Sequence, residues 1–119
     1  MYSSIGVDFL EPGFIKVMET SEIVPGKMKA VTLRDQEILI INVDGIFYAI
    51  GQKCTHLGGD LSKGKLEGKI ITCPRHHSQF DISNGKVVIP PTILFMHPQI
   101  NDIKTYQLRI EHGNILIKS

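Results

Sequence analysis

The chain has 119 residues, enough for one domain with its own hydrophobic core. Thirteen Lys and Arg offset twelve Asp and Glu, and the net charge of +1 gives no indication of nucleic-acid binding. The longest apolar run is five residues, and residues 1–6 lack the basic and apolar regions of a secretory signal, so neither a membrane span nor secretion is expected.

The predicted elements are short strands separated by turn signals. Residues 13–18, 29–33, 37–43 and 47–50 are rich in β-branched and aromatic side chains, and Asp44-Gly45 predicts a tight hairpin between the last two. Residues 69–72, 79–82, 86–89, 106–111 and 115–117 continue the series, while residues 20–22 could form one helical turn at most. The pattern predicts a single all-β domain over residues 1–119, an antiparallel sandwich or barrel.

Both cysteines of the chain are followed closely by a histidine. The two motifs are Cys54-x-His56 and Cys73-x-x-His76, and sixteen residues separate them. The plainest interpretation is two buried structural thiols near surface histidines, but such spacing in a chain with five histidines is seldom accidental. Two thiolates and two imidazoles suit a tetrahedral zinc site, and they equally suit a [2Fe–2S] cluster in which two His replace two Cys on one iron.

The residues around these ligands resemble the Rieske iron–sulfur family, whose loops read C-x-H-x-G and C-P-x-H-x-x-x-F-D. The matching positions are Cys54, His56, Gly58, Cys73, Pro74, His76, Phe80 and Asp81. Similarity extends over about residues 13–118 and includes the turn at residues 84–87, the Pro loop at Pro90-Pro91 and a returning strand at residues 103–106. The resemblance implies a Rieske-like antiparallel β-sandwich with an inserted cluster-binding subdomain, about residues 51–82.

The resemblance also implies the ligand roles. Cys54 and Cys73 would hold the inner iron of one [2Fe–2S] cluster per chain, and His56 and His76 the outer iron. Exchanging two anionic thiolates for neutral imidazoles lowers the negative charge of the centre and raises its reduction potential. Next to the ligands, Gly58 would permit a sharp turn. The Pro loop that contains Pro91 would lie over the cluster.

Three features depart from the patterns of the Rieske family, namely Phe80, a missing pair of cysteines and His77. Ser78 stands where the serine of high-potential Rieske proteins bonds to a bridging sulfide, but Phe80 replaces their tyrosine, and the extra cysteine pair that ties the loops is missing. These features imply the soluble, oxygenase-ferredoxin-like branch. His77 replaces the glycine that usually follows the second histidine ligand, where positive φ would be costly for a side chain.

Residues 92–102 form a link about seven residues longer than the family's usual connection between the Pro loop and the returning strand. It contains four consecutive large apolar residues, including Leu94, Phe95 and Met96. They could form a partner-docking patch beside the redox site, or pack on the sandwich as a flap.

The implied function is one-electron transfer without substrate chemistry, between a flavin reductase and a terminal oxygenase or other oxidoreductase. The candidate docking residues are Leu57, His77, Leu94, Phe95 and Met96. Alternatives are the small Rieske subunit of a multisubunit oxidoreductase and a zinc-stabilised binding module. A self-contained Rieske oxygenase would need a second domain with its own iron site, which 119 residues cannot hold. A cytoplasmic protein is expected, because both thiols would be committed to metal. The protein is also expected to be monomeric.

Overall fold

The computed structural model describes residues 13–118, so the interpretation of residues 1–6 lies outside the described range. Within residues 13–118, ten strands form three antiparallel sheets. The first sheet contains β1 (Phe14–Glu19), β9 (Leu108–Glu111) and β10 (Asn114–Lys118), in the order β1-β10-β9. The second is the meander β2 (Met28–Leu33), β3 (Gln36–Val43) and β4 (Ile46–Gly51). The third consists of β5 (Lys65–Glu67), β6 (Ile70–Thr72), β7 (Gln79–Asp81) and β8 (Val87–Ile89).

The predicted all-β antiparallel fold is confirmed, with differences in detail. Strand β5 and a 3-10 turn at Leu61–Lys63 were not predicted, because the sequence of β5, Lys65-Leu66-Glu67, has no β-branched or aromatic residue and a single 3-10 turn is too short for a helical period. Strand β9 starts at Leu108, two residues later than expected. The preceding backbone pairs elsewhere: Thr105 bridges to Ile50, and the Tyr106 N–H donates to the Ala49 carbonyl at 2.9 Å.

Strand β3 lies between two hydrophobic clusters. Ile38 and Ile40 pack with β1 and β10, whereas Leu39 and Ile41 pack against the four-stranded sheet and both cysteines. Successive side chains of a strand point to opposite faces, so a strand buried on both faces needs an uninterrupted apolar run. All four residues are at most 1% exposed. Burying each side chain stabilises the fold by roughly 1.5–3 kcal/mol, and β3 thereby joins the sandwich to the sheet that carries the candidate site.

Two short 3-10 turns are the helical segments of residues 13–118, and neither is long or apolar enough to cross a membrane.

Candidate metal centre

The first ligand loop follows β4 and closes on its own cysteine. The Cys54 carbonyl accepts a hydrogen bond from the Gly58 N–H at 3.1 Å, and the Cys54 N–H donates to the Gly59 carbonyl at 2.7 Å. Leu57 (φ 62°) and Gly58 (φ 69°) are both left-handed. Glycine adopts this conformation freely, whereas leucine does so at a cost in free energy. The Leu57 side chain is 66% exposed.

The second ligand loop, between β6 and β7, has the same closure. The Cys73 carbonyl accepts from the His77 N–H at 3.2 Å, and the Cys73 N–H donates to the Ser78 carbonyl at 2.8 Å. His77 therefore occupies the place that Gly58 occupies in the first loop, and its φ is 64°. The strain expected from a histidine in the usual glycine position is present, at roughly 1 kcal/mol or more.

The two cysteine thiols lie inside the protein, at 3% and 1% exposure for Cys54 and Cys73. The Ser78 hydroxyl, itself buried, is 3.2 Å from the Cys54 sulfur. Burial raises the pKa of the Cys54 thiol, the Ser78 hydroxyl and the His56 N–H oppose this, and the adjacent Cys73 raises the pKa further. Two buried thiols side by side would become thiolates readily only when a cationic centre compensates their charge.

The two candidate histidines meet between the loops. The imidazole rings of His56 and His76 have centroids 5.0 Å apart and an interplanar angle of 70°. Nδ1 of His76 is buried and has no hydrogen-bond partner among residues 13–118. Buried polar nitrogens nearly always have a partner, so this nitrogen is suited to bind a group that the chain itself does not supply.

The four ligand candidates are arranged as two pairs, two thiols inside and two imidazoles nearer the surface. Within the described residues, no group of three His, Cys, Asp or Glu side chains converges as the ligands of a single ion would. A pair of thiolates and a pair of imidazoles is the ligand set of a two-iron centre with one pair on each iron. The donor set therefore fits a Rieske-type [2Fe–2S] cluster.

Gly59 has a role that the sequence did not specify. A Cβ atom at this position would lie 2.7 Å from the Cys73 sulfur, so any side chain there would displace a candidate ligand. No local pattern could have revealed this contact, because Gly59 and Cys73 belong to different loops.

The remaining candidate residues from the sequence fall into a buried group and an exposed group. Phe80 is fully buried opposite Ile71 of β6, and Pro91 is buried directly before residues 92–102. The next residue, Thr92, donates its N–H to the His76 carbonyl at 3.0 Å, which ties this segment to the second ligand loop. The five docking candidates are all exposed: Leu57, His77, Leu94, Phe95 and Met96.

Known proteins with this sequence pattern and fold agree with the geometry. The family described as Rieske [2Fe-2S] domain matches residues 13–106. The ferredoxin component of a naphthalene 1,2-dioxygenase system of Pseudomonas putida is 34% identical over 87% of this chain and 93% of its own length. The biphenyl dioxygenase ferredoxin subunit of Pseudomonas sp. strain KKS102 is also 34% identical, over 87% of this chain and 90% of its own. A ferredoxin structure from Sphingomonas yanoikuyae B1 superimposes with a TM-score of 0.76 at 29% identity, covering 88% of this chain and 97% of that chain. The family match spans most of the chain, and the chain belongs to the Rieske [2Fe–2S] domain family.

Proposed function

We propose that this protein is a one-electron carrier with one [2Fe–2S] cluster per chain. Cys54 and Cys73 would hold the inner iron, and His56 and His76 the outer iron. The unpartnered, buried Nδ1 of His76, on a ring whose centroid is 5.0 Å from that of the His56 ring, is the observation that carries this assignment. When bound, the cluster accepts and releases one electron at a time.

The protein's own residues would set the environment of that electron. Burial of both thiols excludes water from the inner side, and the Ser78 hydroxyl is placed to hydrogen-bond to the Cys54 sulfur. The half-buried imidazoles are the ligands nearest to the surface, so electrons would enter and leave past His56 and His76. We assign this role to a cluster-binding subdomain, residues 51–82, within a single domain of 119 residues, because both ligand loops lie inside that range.

The partner we propose is the terminal oxygenase of a multicomponent dioxygenase, with a flavin reductase as electron source. The two named relatives are ferredoxin components of naphthalene and biphenyl dioxygenase systems, and they support this proposal. We further propose a cytoplasmic location, since two thiols committed to a cluster are compatible with a reducing compartment, and a monomeric state. Leu57 and His77, which adjoin the imidazoles and are exposed, would form the centre of the docking face.

The test is electron transfer to a purified oxygenase. The chemically reduced protein would be mixed anaerobically with the oxygenase component of a naphthalene 1,2-dioxygenase system, and reoxidation followed by visible absorbance. A charge at the docking face, Leu57→Glu, should slow transfer while the spectrum and potential stay unchanged. The control is Ile110→Glu on β9, where an apolar side chain is 43% exposed away from the ligand loops. Failure of the unmodified protein to reduce the oxygenase, or turnover of an organic substrate by this chain alone, would contradict the proposal.

A further inference from the structure

A small hairpin protrudes beside the second ligand loop. We call residues 92–97 the tip hairpin. Ile93 and Met96 exchange both backbone hydrogen bonds, at 2.9 and 2.8 Å, and the Thr92 hydroxyl lies 3.4 Å from the His97 ring nitrogen Nδ1. The turn between them consists of Leu94 (φ 49°) and Phe95 (φ 68°). Two consecutive left-handed residues in a two-residue loop form a type I′ turn, which favours Asn-Gly and Asp-Gly.

The same chain contains comparable turns with suitable residues. Three other two-residue loops between paired strands have positive φ at both central positions: Arg34-Asp35, Asp44-Gly45 and His112-Gly113. All three use polar residues or glycine, whereas the tip hairpin uses two large apolar residues. In the left-handed conformation a Cβ atom approaches the following carbonyl oxygen, so Leu and Phe are unfavourable there. The local sequence of the tip hairpin thus opposes the turn that it forms.

Packing does not compensate for this strain. Leu94 is 84% exposed, Phe95 is 97% exposed and Met96 is 68% exposed. The alternative in which these residues form a flap packed on the sandwich is therefore wrong. A strained turn that displays large apolar side chains to solvent is a poor choice for folding, and such features tend to occur where a partner binds.

The segment that contains the tip hairpin, residues 92–102, is attached to both ligand loops. Thr92 donates its N–H to the His76 carbonyl at 3.0 Å, and the Thr55 hydroxyl donates to the Asn101 carbonyl at 2.6 Å. Leu94 and Phe95 follow Thr92 by two and three residues, a reach of about 11 Å at most. Anything that contacts the tip therefore also lies close to the loop that carries His76.

The size of the apolar tip suits a transient partner. Three large side chains offer roughly 150–200 Å² each, about 500 Å² together. A stable interface buries about 800 Å² on each partner, whereas weak redox encounters are smaller. A short-lived complex with a redox protein therefore fits better than a permanent dimer of this chain.

We propose that Leu94 and Phe95 insert into an apolar pocket of the terminal oxygenase and thereby orient the His76 edge of this protein toward the electron acceptor. The choice of occupant rests on the proposed function. The conflict between sequence and turn conformation does not depend on it.

The decisive variant copies a favourable turn into the tip hairpin. Leu94→Asn/Phe95→Gly should raise the melting temperature of the cluster-loaded protein, by about 4 °C, because both residues then suit the turn. The visible spectrum and reduction potential should not change. At subsaturating concentration, electron transfer to the naphthalene 1,2-dioxygenase oxygenase component should fall about tenfold or more, as expected when two apolar anchors are removed.

The matched control is Ile46→Asn, beside the Asp44-Gly45 turn, where the side chain is 58% exposed. Ile46 is at the opposite end of β4 from the first ligand loop, about 17 Å of extended strand away. This control should leave the transfer rate unchanged.

Several results would overturn the inference. A lower melting temperature in the double variant would show that the tip stabilises the fold. Unchanged transfer, with the unmodified protein active, would refute docking at the tip while leaving the proposed function intact. A further contrary result would be that the unmodified protein binds phosphatidylcholine–phosphatidylglycerol vesicles, or dimerises in light scattering, and loses that property in the double variant. Such a result would identify a membrane, or a second copy of the chain, as the partner of the tip hairpin in place of the oxygenase. If the unmodified protein does not reduce the oxygenase, the proposed function fails. Independently of that result, a melting temperature that does not rise in the double variant would show that Leu94 and Phe95 do not strain the turn.

Discussion

The Arg75 guanidinium donates a 2.9 Å hydrogen bond to the Leu57 carbonyl, and this contact joins the second ligand loop to the first. The aliphatic part of the same side chain packs over Gly59, where a Cβ would lie 3.0 Å from the Arg75 Cδ. Both cysteines of the chain are free thiols and candidate ligands, so no disulfide connects the loops. Arg75 connects the loops by a hydrogen bond and by packing.

Removing this connection should make the cluster easier to lose. Arg75→Met keeps the aliphatic packing but removes the donor, and an exposed contact of this kind contributes about 0.5–1 kcal/mol. Bleaching of the visible absorbance in the presence of a chelator should therefore accelerate about two- to fivefold. Arg75→Lys, which keeps the charge, serves as the control for electrostatics. Identical bleaching rates for Arg75→Met and the unmodified protein would show that the loops need no such connection.

The ligand assignment predicts the metal content directly. Purified protein should be reddish-brown with two iron and two acid-labile sulfide per chain, and Cys54→Ser or Cys73→Ser should abolish both, because a hydroxyl is a far poorer ligand than a thiolate. Substitution of His56 or His76 should also remove the cluster. His77→Gly is the control that keeps it. Colourless protein that contains one zinc ion would refute the assignment.

Ser78 should influence the reduction potential through its contact with the Cys54 sulfur, 3.2 Å away. Hydrogen bonds to sulfur stabilise the reduced, more negative cluster, and a difference of about 1 kcal/mol corresponds to roughly 40 mV for one electron. Ser78→Ala should lower the potential by about that amount in protein-film voltammetry. Phe80→Tyr should raise it comparably if the added hydroxyl reaches a sulfur. Equal potentials in all three proteins would mean that neither side chain interacts with the cluster.

His77 should reduce stability by its backbone conformation alone. With φ at 64°, His77→Gly should relieve about 1 kcal/mol of strain and raise the melting temperature by about 4 °C. His77→Ala removes the imidazole but retains a Cβ, so it should give no such increase. Equal melting temperatures for the Gly and Ala variants would show that positive φ at this position does not destabilise a residue that has a Cβ atom.

Asp60 should make stability depend on acid pH. Its carboxylate accepts hydrogen bonds from the Ser62 hydroxyl at 2.6 Å, the Ser62 N–H at 2.9 Å and the Gln52 amide at 3.1 Å. The Ser62 hydroxyl, followed by Gln52, lowers the pKa of Asp60. A lowered folded-state pKa gives stability that is present above the unfolded pKa of about 3.9 and lost as pH falls through the folded value. Urea midpoints of Asp60→Asn should be lower than those of the unmodified protein at pH 7, with a difference that shrinks below about pH 4. A constant difference at every pH would contradict this role.

The ligand motif and the strand pattern could be predicted because both depend on neighbouring residues. Cys54 precedes His56 by two positions and Cys73 precedes His76 by three, so each pair shares one short loop whatever the fold. Tight turns such as Asp44-Gly45 were likewise evident, since their chemistry is local. Strand β5 was missed because Lys65-Leu66-Glu67 contains neither a β-branched nor an aromatic residue, whereas the equally short β6, β7 and β8 each contain one or more.

Contacts between segments distant in the sequence were decided by the tertiary structure. Arg75 reaches Leu57 across eighteen positions, and Gly59 approaches the Cys73 sulfur from the other ligand loop. The apolar residues Leu94 and Phe95 look like core residues in a hydrophobicity pattern, yet the hairpin places them in solvent. The sequence alone does not specify whether an apolar side chain points into the core or into solvent. Its position, in the core or at a docking surface, depends on which backbone segments pair around it.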